Sequence, residues 1–250
     1  DLSQLDENRE FIIESYAFSY TKLKSIDIPN YIVNIYDRAF RNCYDLETIN
    51  IPNSVTFIDT ATFENCSGLT SIVIPDSVIS IGNSAFKNCS GLTEIVILDS
   101  VTSIGISAFE NCKFTEIKLP NSINYIGASA FTYCSRLTEI VIPDLVTNIN
   151  DELFYGCSNL KSVILGKGVT KMGVFVFKAS AQLSSITCYS IIAPAFSYDT
   201  FADIKTYGTL YYPQGSDYST WIGGNYGSYG NNNRNLGYYR WISKTIQVPN

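Results

Sequence analysis

The sequence predicts an α/β chain that is mainly β by content, wound as a right-handed solenoid with a parallel concave sheet and a C-terminal cap. Two observations carry that prediction. A phenylalanine returns every 22 to 24 residues, at Phe18, Phe40, Phe63, Phe86, Phe109, Phe131, Phe154, Phe177 and Phe201. That interval is far too long for a helix or a strand, and it marks one supersecondary unit copied along an axis. The second observation is a stretch Leu-x-x-Ile-x-Ile at the same period, as in Leu69–Ile74 and Leu92–Ile97.

Each column of the repeat implies a piece of structure. Isoleucines at period two (Ile49 and Ile51, Ile72 and Ile74, Ile140 and Ile142) make a short strand with one buried face. Proline follows at Pro29, Pro52, Pro75, Pro120 and Pro143, and since it cannot donate to a ladder it suits the end of that strand. The unit closes on Val-x-x-Ile, as in Val78–Ile81, with a glycine after it at Gly82, Gly105 and Gly127, which reads as a return segment and a glycine turn. Ala-Phe-x-Asn-Cys predicts a single helical or 3₁₀ turn that drops phenylalanine into the core. A lone unit cannot enclose its apolar face, so stacking at about 4.8 Å per strand buries continuous columns. One residue is missing at Lys113, where other units read Ser-Gly, which shortens that unit to 22 residues and is expected to keep the register.

Motifs such as LTSIVIPDSVISIGNSAFKNC (69–89) and LTEIVILDSVTSIGISAFENC (92–112) resemble the leucine-rich repeats of the BspA-like, or Treponema-type, family of bacterial and protist surface proteins. The resemblance covers roughly residues 11–190 and extends to Gly208–Tyr218, which is similar to the segment closing many such arrays, with Tyr212 where valine is usual. It implies a leucine-rich-repeat solenoid of about eight units and a surface or secreted location, and the family includes adhesins that bind host proteins. The predicted organisation is a polar N-terminal segment or truncated start (1–12), repeats of about 23 residues (13–190) and a Tyr/Gly/Asn-rich cap (191–250). No secretory leader is visible in DLSQLDENRE, so the resemblance implies a leader removed or left out. The abrupt start implies either a weak cover over the first coil or a piece of a longer protein.

Composition narrows the function classes. A net charge of −6 and a pI near 4.7 argue against nucleic acid and anionic membranes. No apolar run approaches the ~20 residues of a membrane span. The chain has no histidine, which removes Ser-His-Asp and Cys-His machinery, and it carries no Walker loop. The glycine-rich GGNYGSYG (223–230) has neither a lysine nor a following apolar helix. No cofactor is expected, and the chain reads as non-catalytic. The enzyme alternative, a polysaccharide-active parallel β-helix, would carry rung-long strands in three sheets and less helical dichroism.

Seven cysteines do not read as a disulfide framework. Cys43, Cys66, Cys89, Cys112, Cys134 and Cys157 fall in one column, each a rung from the next. Parallel side chains ~5 Å apart exceed the roughly 3.5–4.5 Å between Cβ atoms that a disulfide wants. A buried column of small thiols is the simpler reading, with Cys188 in the core as well. Zinc would need convergent Cys-x-x-Cys pairs or histidines, and no metal site is expected.

Two surfaces are candidates for a partner. On the concave sheet, the outward positions between buried aliphatics stack into columns, and the candidate binding residues are Val73, Glu94, Val96, Glu116, Lys118, Glu139, Val141 and Ile164. The glutamates are either tolerated, with Lys118 offsetting part of their repulsion, or used against a basic partner or cation; one flat column offers too few oxygens for calcium. The aliphatic strip reflects either strand propensity or a docking site. The expected partner is a host or extracellular protein. The second surface is the tail, where residues 207–241 hold eight tyrosines and both tryptophans. These either cover the last coil or form a sugar-stacking platform, so a glycan is the alternative partner.

Overall fold

The computed structural model describes residues 11–197, 199–223 and 235–249. It is a parallel-sheet solenoid with two ladders running along one axis. The main sheet, the one expected to be concave, is built from Leu-x-x-Ile-x-Ile segments. Its strands include Thr48–Ile49, Ser71–Ile74, Glu94–Ile97, Glu139–Ile142, Ser162–Leu165 and Ser185–Cys188. The return sheet is built from Val-x-x-Ile segments in two-residue strands such as Phe57–Ile58, Ser80–Ile81 and Ser103–Ile104. Pairing is in register and parallel, so that Val141 stands beside Ile164 and Ile164 beside Thr187. Two sheets of short strands do not match the three rung-long sheets of a β-helix.

The repeat columns become continuous layers. Adjacent phenylalanine rings from Phe18 to Phe201 stack with centroids 5.1 to 5.9 Å apart, near the spacing of strands in a ladder. From Phe40 onward they are fully buried, with the leucine, isoleucine and cysteine columns around them.

The segment carrying Ala-Phe-x-Asn-Cys corrects the sequence reading, because it is neither α-helical nor 3₁₀. Within one coil, the N–H groups of Ala85, Lys87 and Cys89 close local turns onto Gly82, Ser84 and Phe86 carbonyls. The intervening N–H groups of Ser84, Phe86 and Asn88 point instead to the next coil, each 2.8 Å from the carbonyl of Ile106, Ala108 or Glu110. A helix would turn every amide inward, whereas here alternate amides tie neighbouring coils together. The alternation needs two left-handed residues per coil, such as Ser84 at φ 55° and Asn88 at φ 59°. Among the described residues the helical elements are Ser219–Ile222 and the 3₁₀ turn Leu236–Tyr239. Helical dichroism therefore does not separate this fold from a β-helix.

The glycine after Val-x-x-Ile is also explained differently than expected. It does not adopt positive φ; at Gly105 an added Cβ would lie 2.6 Å from the backbone of Gly82 and Asn83. Closeness of successive coils, not turn geometry, excludes a side chain there.

The C-terminal region adds two more strands to the main sheet. Thr209–Pro213 pairs with Ser185–Cys188, and Ile242–Ile246 pairs with Thr209–Pro213. At the first described coil Phe18, Leu23 and Ile26 are only half-buried. Residues 1–10 of the polar N-terminal segment lie outside the described residues; Phe11–Ile13 already forms a strand beside Ile32–Ile35.

Candidate functional site

The strand period decides where the candidate side chains go. In Glu94–Ile97 and Glu139–Ile142, Ile95, Ile97, Ile140 and Ile142 turn inward, so Glu94, Val96, Glu139 and Val141 must face out. Seven of the eight candidate residues line one depression of about 670 Å³: Glu94, Val96, Glu116, Lys118, Glu139, Val141 and Ile164. Val73 stands beside Val96 in the ladder but lines a separate depression of about 460 Å³ beside Thr48–Ile51. Val73, Val96 and Val141 are 60%, 39% and 55% exposed, and Ile164 is half-buried.

The main sheet is interrupted at this depression, as it is between Thr48–Ile49 and Ser71–Ile74, where the coil has its usual length. Ser71–Ile74 and Glu94–Ile97 form one ladder, and the next begins at Glu139–Ile142, with Glu116 joined to Glu139 by an isolated bridge. No strand pairing joins Glu94–Ile97 to residues 115–119 among the described residues. Two local changes coincide there: the missing residue at Lys113, and Phe114 in place of the usual leucine, wedged edge-on against Phe109 and Phe131 at 6.0 and 6.4 Å. The phenylalanine stack keeps register through this coil, with Phe109 and Phe131 5.7 Å apart, as expected; the strand ladder does not.

Lys118 does not neutralise the glutamates by contact. Neither it nor Glu94, Glu116 or Glu139 takes part in an ion pair among the described residues. On the turn side, by contrast, charges are paired between coils: Arg41 with Glu64 at 2.6 Å and Lys87 with Glu110 at 2.9 Å.

The cysteine column is free and fully buried. Each thiol also has a role missed from the sequence, since it donates to the phenylalanine carbonyl of the preceding coil, as Cys89 to Phe63 at 3.0 Å and Cys112 to Phe86 at 3.2 Å. Ser180 takes the same place after Cys157, donating to Phe154 at 2.8 Å. Burial pushes the Cys89 and Cys157 thiols up to about 12, which removes them as nucleophiles near neutrality. Among the described residues no group of three or more Cys, Asp or Glu side chains converges as a metal site would require.

A second feature missed from the sequence is an amide ladder. Asn65 donates to Asn42 at 2.6 Å, Asn88 to Asn65 at 2.9 Å and Asn111 to Asn88 at 3.1 Å. The signal was present, since these asparagines share one column and asparagine tolerates the left-handed conformation they adopt.

The aromatic tail covers the end of the stack. Trp221 packs 5.5 Å from Phe201, and its indole N–H donates to the Pro194 carbonyl at 2.9 Å. Trp241 is buried on Gly208 and donates to the Lys205 carbonyl. The Tyr218 hydroxyl donates to Ser190 at 2.8 Å, and burial raises its pKa. Both indoles are thereby withdrawn from the sugar-stacking surface considered above, which leaves Tyr207 and Tyr238 as strongly exposed rings of the tail. Tyr226, Tyr229 and residues 224–234 of the insertion lie outside the described residues.

Comparison with known proteins agrees with this geometry. The chain matches the BspA type leucine-rich repeat region in six copies, over residues 11–137 and 80–207. It is similar to a leucine-rich repeat protein of T. pallidum, 34% identical over 65% of this chain and 78% of that one, with a TM-score of 0.61. A leucine-rich repeat protein of Eubacterium ventriosum shares the fold at 24% identity and a TM-score of 0.58, over 87% of this chain and 66% of that one. So does the pneumococcal vaccine antigen PcpA, at 20% identity and 0.53, over 80% and 67%. No curated protein matches the chain. With the family match spanning well over half its length, the chain belongs to the BspA-type leucine-rich repeat family.

Proposed function

We propose that this chain is a non-catalytic binding module of a bacterial cell-surface or secreted protein, and that it engages a polypeptide partner through the main sheet. The observation carrying the reading is the depression at the shortened coil, where exposed Val96 and Val141 stand among unpaired charges. Exposed apolar side chains on an otherwise polar face suit docking better than chemistry. Family membership supports the surface location. No helix among the described residues is long and apolar enough to cross a membrane.

The test is capture of host extracellular protein by the chain and by a Val96→Lys/Val141→Lys variant. Loss of capture with an unchanged circular dichroism spectrum supports the reading, and capture that survives both substitutions places the contact on another face.

A further inference from the structure

The charge pattern around the depression defines the chemistry of the partner, an inference that rests on docking at the main sheet. The segments 71–76, 94–99, 116–121 and 139–144 set acids on both sides of the aliphatic band. Glu94, Glu116 and Glu139 stand on one side. In the turn just after the strands stand Asp76, Asp99 and Asp144, a second column that the strand pattern alone did not expose. All six are exposed, and Lys118 is the single basic residue within these segments. None of the six is in an ion pair among the described residues; Asp144 accepts the Lys167 backbone N–H at 2.8 Å, which leaves its charge uncompensated.

Like charges one strand apart oppose folding. Glu116 and Glu139 are bridged neighbours, and Asp76 and Asp99 follow paired strands, so each of these pairs sets like charges side by side. Elsewhere on neighbouring coils this chain alternates sign, as Arg41, Glu64, Lys87 and Glu110 show. Among the described residues, repetition of one sign on neighbouring coils is found on the docking face, where it flanks Val96 and Val141. Glu94 and Asp99 are five residues apart, roughly 15 Å of extended chain. A single backbone laid along the valines thus has carboxylates to either side.

We propose that this face takes an extended, cationic polypeptide segment, its lysine or arginine side chains reaching the two acidic columns and its aliphatic residues resting on Val96 and Val141. The test is fluorescence anisotropy of the full chain with three synthetic peptides that alternate Lys-Val, Ser-Val or Glu-Val. The Lys-Val peptide is expected to bind about tenfold or more tightly than Ser-Val, to weaken as salt rises, and to lose binding to a Glu94→Lys/Glu116→Lys/Glu139→Lys variant that keeps its dichroism spectrum. A Glu110→Gln variant, altered on the turn side, should bind as the parent does. Equal binding of all three peptides, lost only in Val96→Lys/Val141→Lys, overturns the cationic partner and leaves docking at this face standing. Binding of the Lys-Val peptide that neither set of substitutions weakens, or no binding of any peptide, overturns both.

Discussion

Lys113 Nζ donates to Oδ1 of Asn111 at 2.8 Å and to Oγ of Ser135 at 3.0 Å. The asparagine ladder ends at Asn111, because the next coil places Tyr133 in that column, so the last amide oxygen is satisfied by an ammonium group instead. The residue that marks the shortened coil in the sequence is therefore also the terminator of a hydrogen-bonded column.

Breaking that ladder in the middle should be costly. Asn88 both donates and accepts along it and holds φ 59°. Asn88→Ala is expected to lose about 2 kcal/mol, from two lost side-chain bonds and the left-handed backbone. Asn88→Gly keeps the backbone comfortable and should lose about half as much. Urea unfolding of the two variants beside the parent provides the check.

Alkali should destabilise the fold through its thiols. Cys89 and Cys157 titrate at about 12 when folded, against about 8.5 for an unfolded thiol. Between those values the unfolded chain has released protons that the folded chain retains, so the stability these thiols contribute is whole below about 8.5 and falls as pH rises toward 12. The slope is about 1.4 kcal/mol per pH unit for each such thiol. The measurement is the urea midpoint across that range; a Cys89→Ser/Cys157→Ser variant should show a shallower decline.

Trp221→Ala should be among the most damaging single changes in the tail. It uncovers Phe201 and Phe196, empties a fully buried site and leaves the Pro194 carbonyl without its indole partner. A loss of about 3–5 kcal/mol is expected. Thermal unfolding followed by tyrosine fluorescence would register it, and Tyr218→Phe, which removes one hydroxyl bond, should cost only about 1 kcal/mol.

Gly105→Ala tests the close approach of coils. Its methyl group would meet main-chain atoms that cannot rotate away, so about 1–3 kcal/mol of destabilisation is expected from overpacking. An outcome near zero would show that the coils separate at little cost.

Much of this architecture was legible in the sequence because a solenoid converts period into position. Once Phe86 and Phe109 share a column, so do Glu94 and Glu116, and seven candidate residues fell on one depression for that reason. The turn segment was misread because its left-handed positions are filled by Ala61, Ser84 and Ser107, residue types that do not announce positive φ as glycine does. The second acidic column was overlooked because Asp76, Asp99 and Asp144 follow the strands, where an aspartate reads as ordinary turn chemistry. The interruptions of the strand ladder also escaped, since they leave the aromatic stack, and with it the repeat period, intact.

That opening has a mechanical consequence. The return sheet runs unbroken from Phe57–Ile58 to Tyr125–Ile126 behind the gap, while the main sheet in front of it is unlaced. A spine intact on one side and slit on the other flexes about the intact side. The main sheet is also unpaired between Thr48–Ile49 and Ser71–Ile74, so the array has more than one compliant joint, and a load applied at its two ends would gape or pinch the very face that carries the valines.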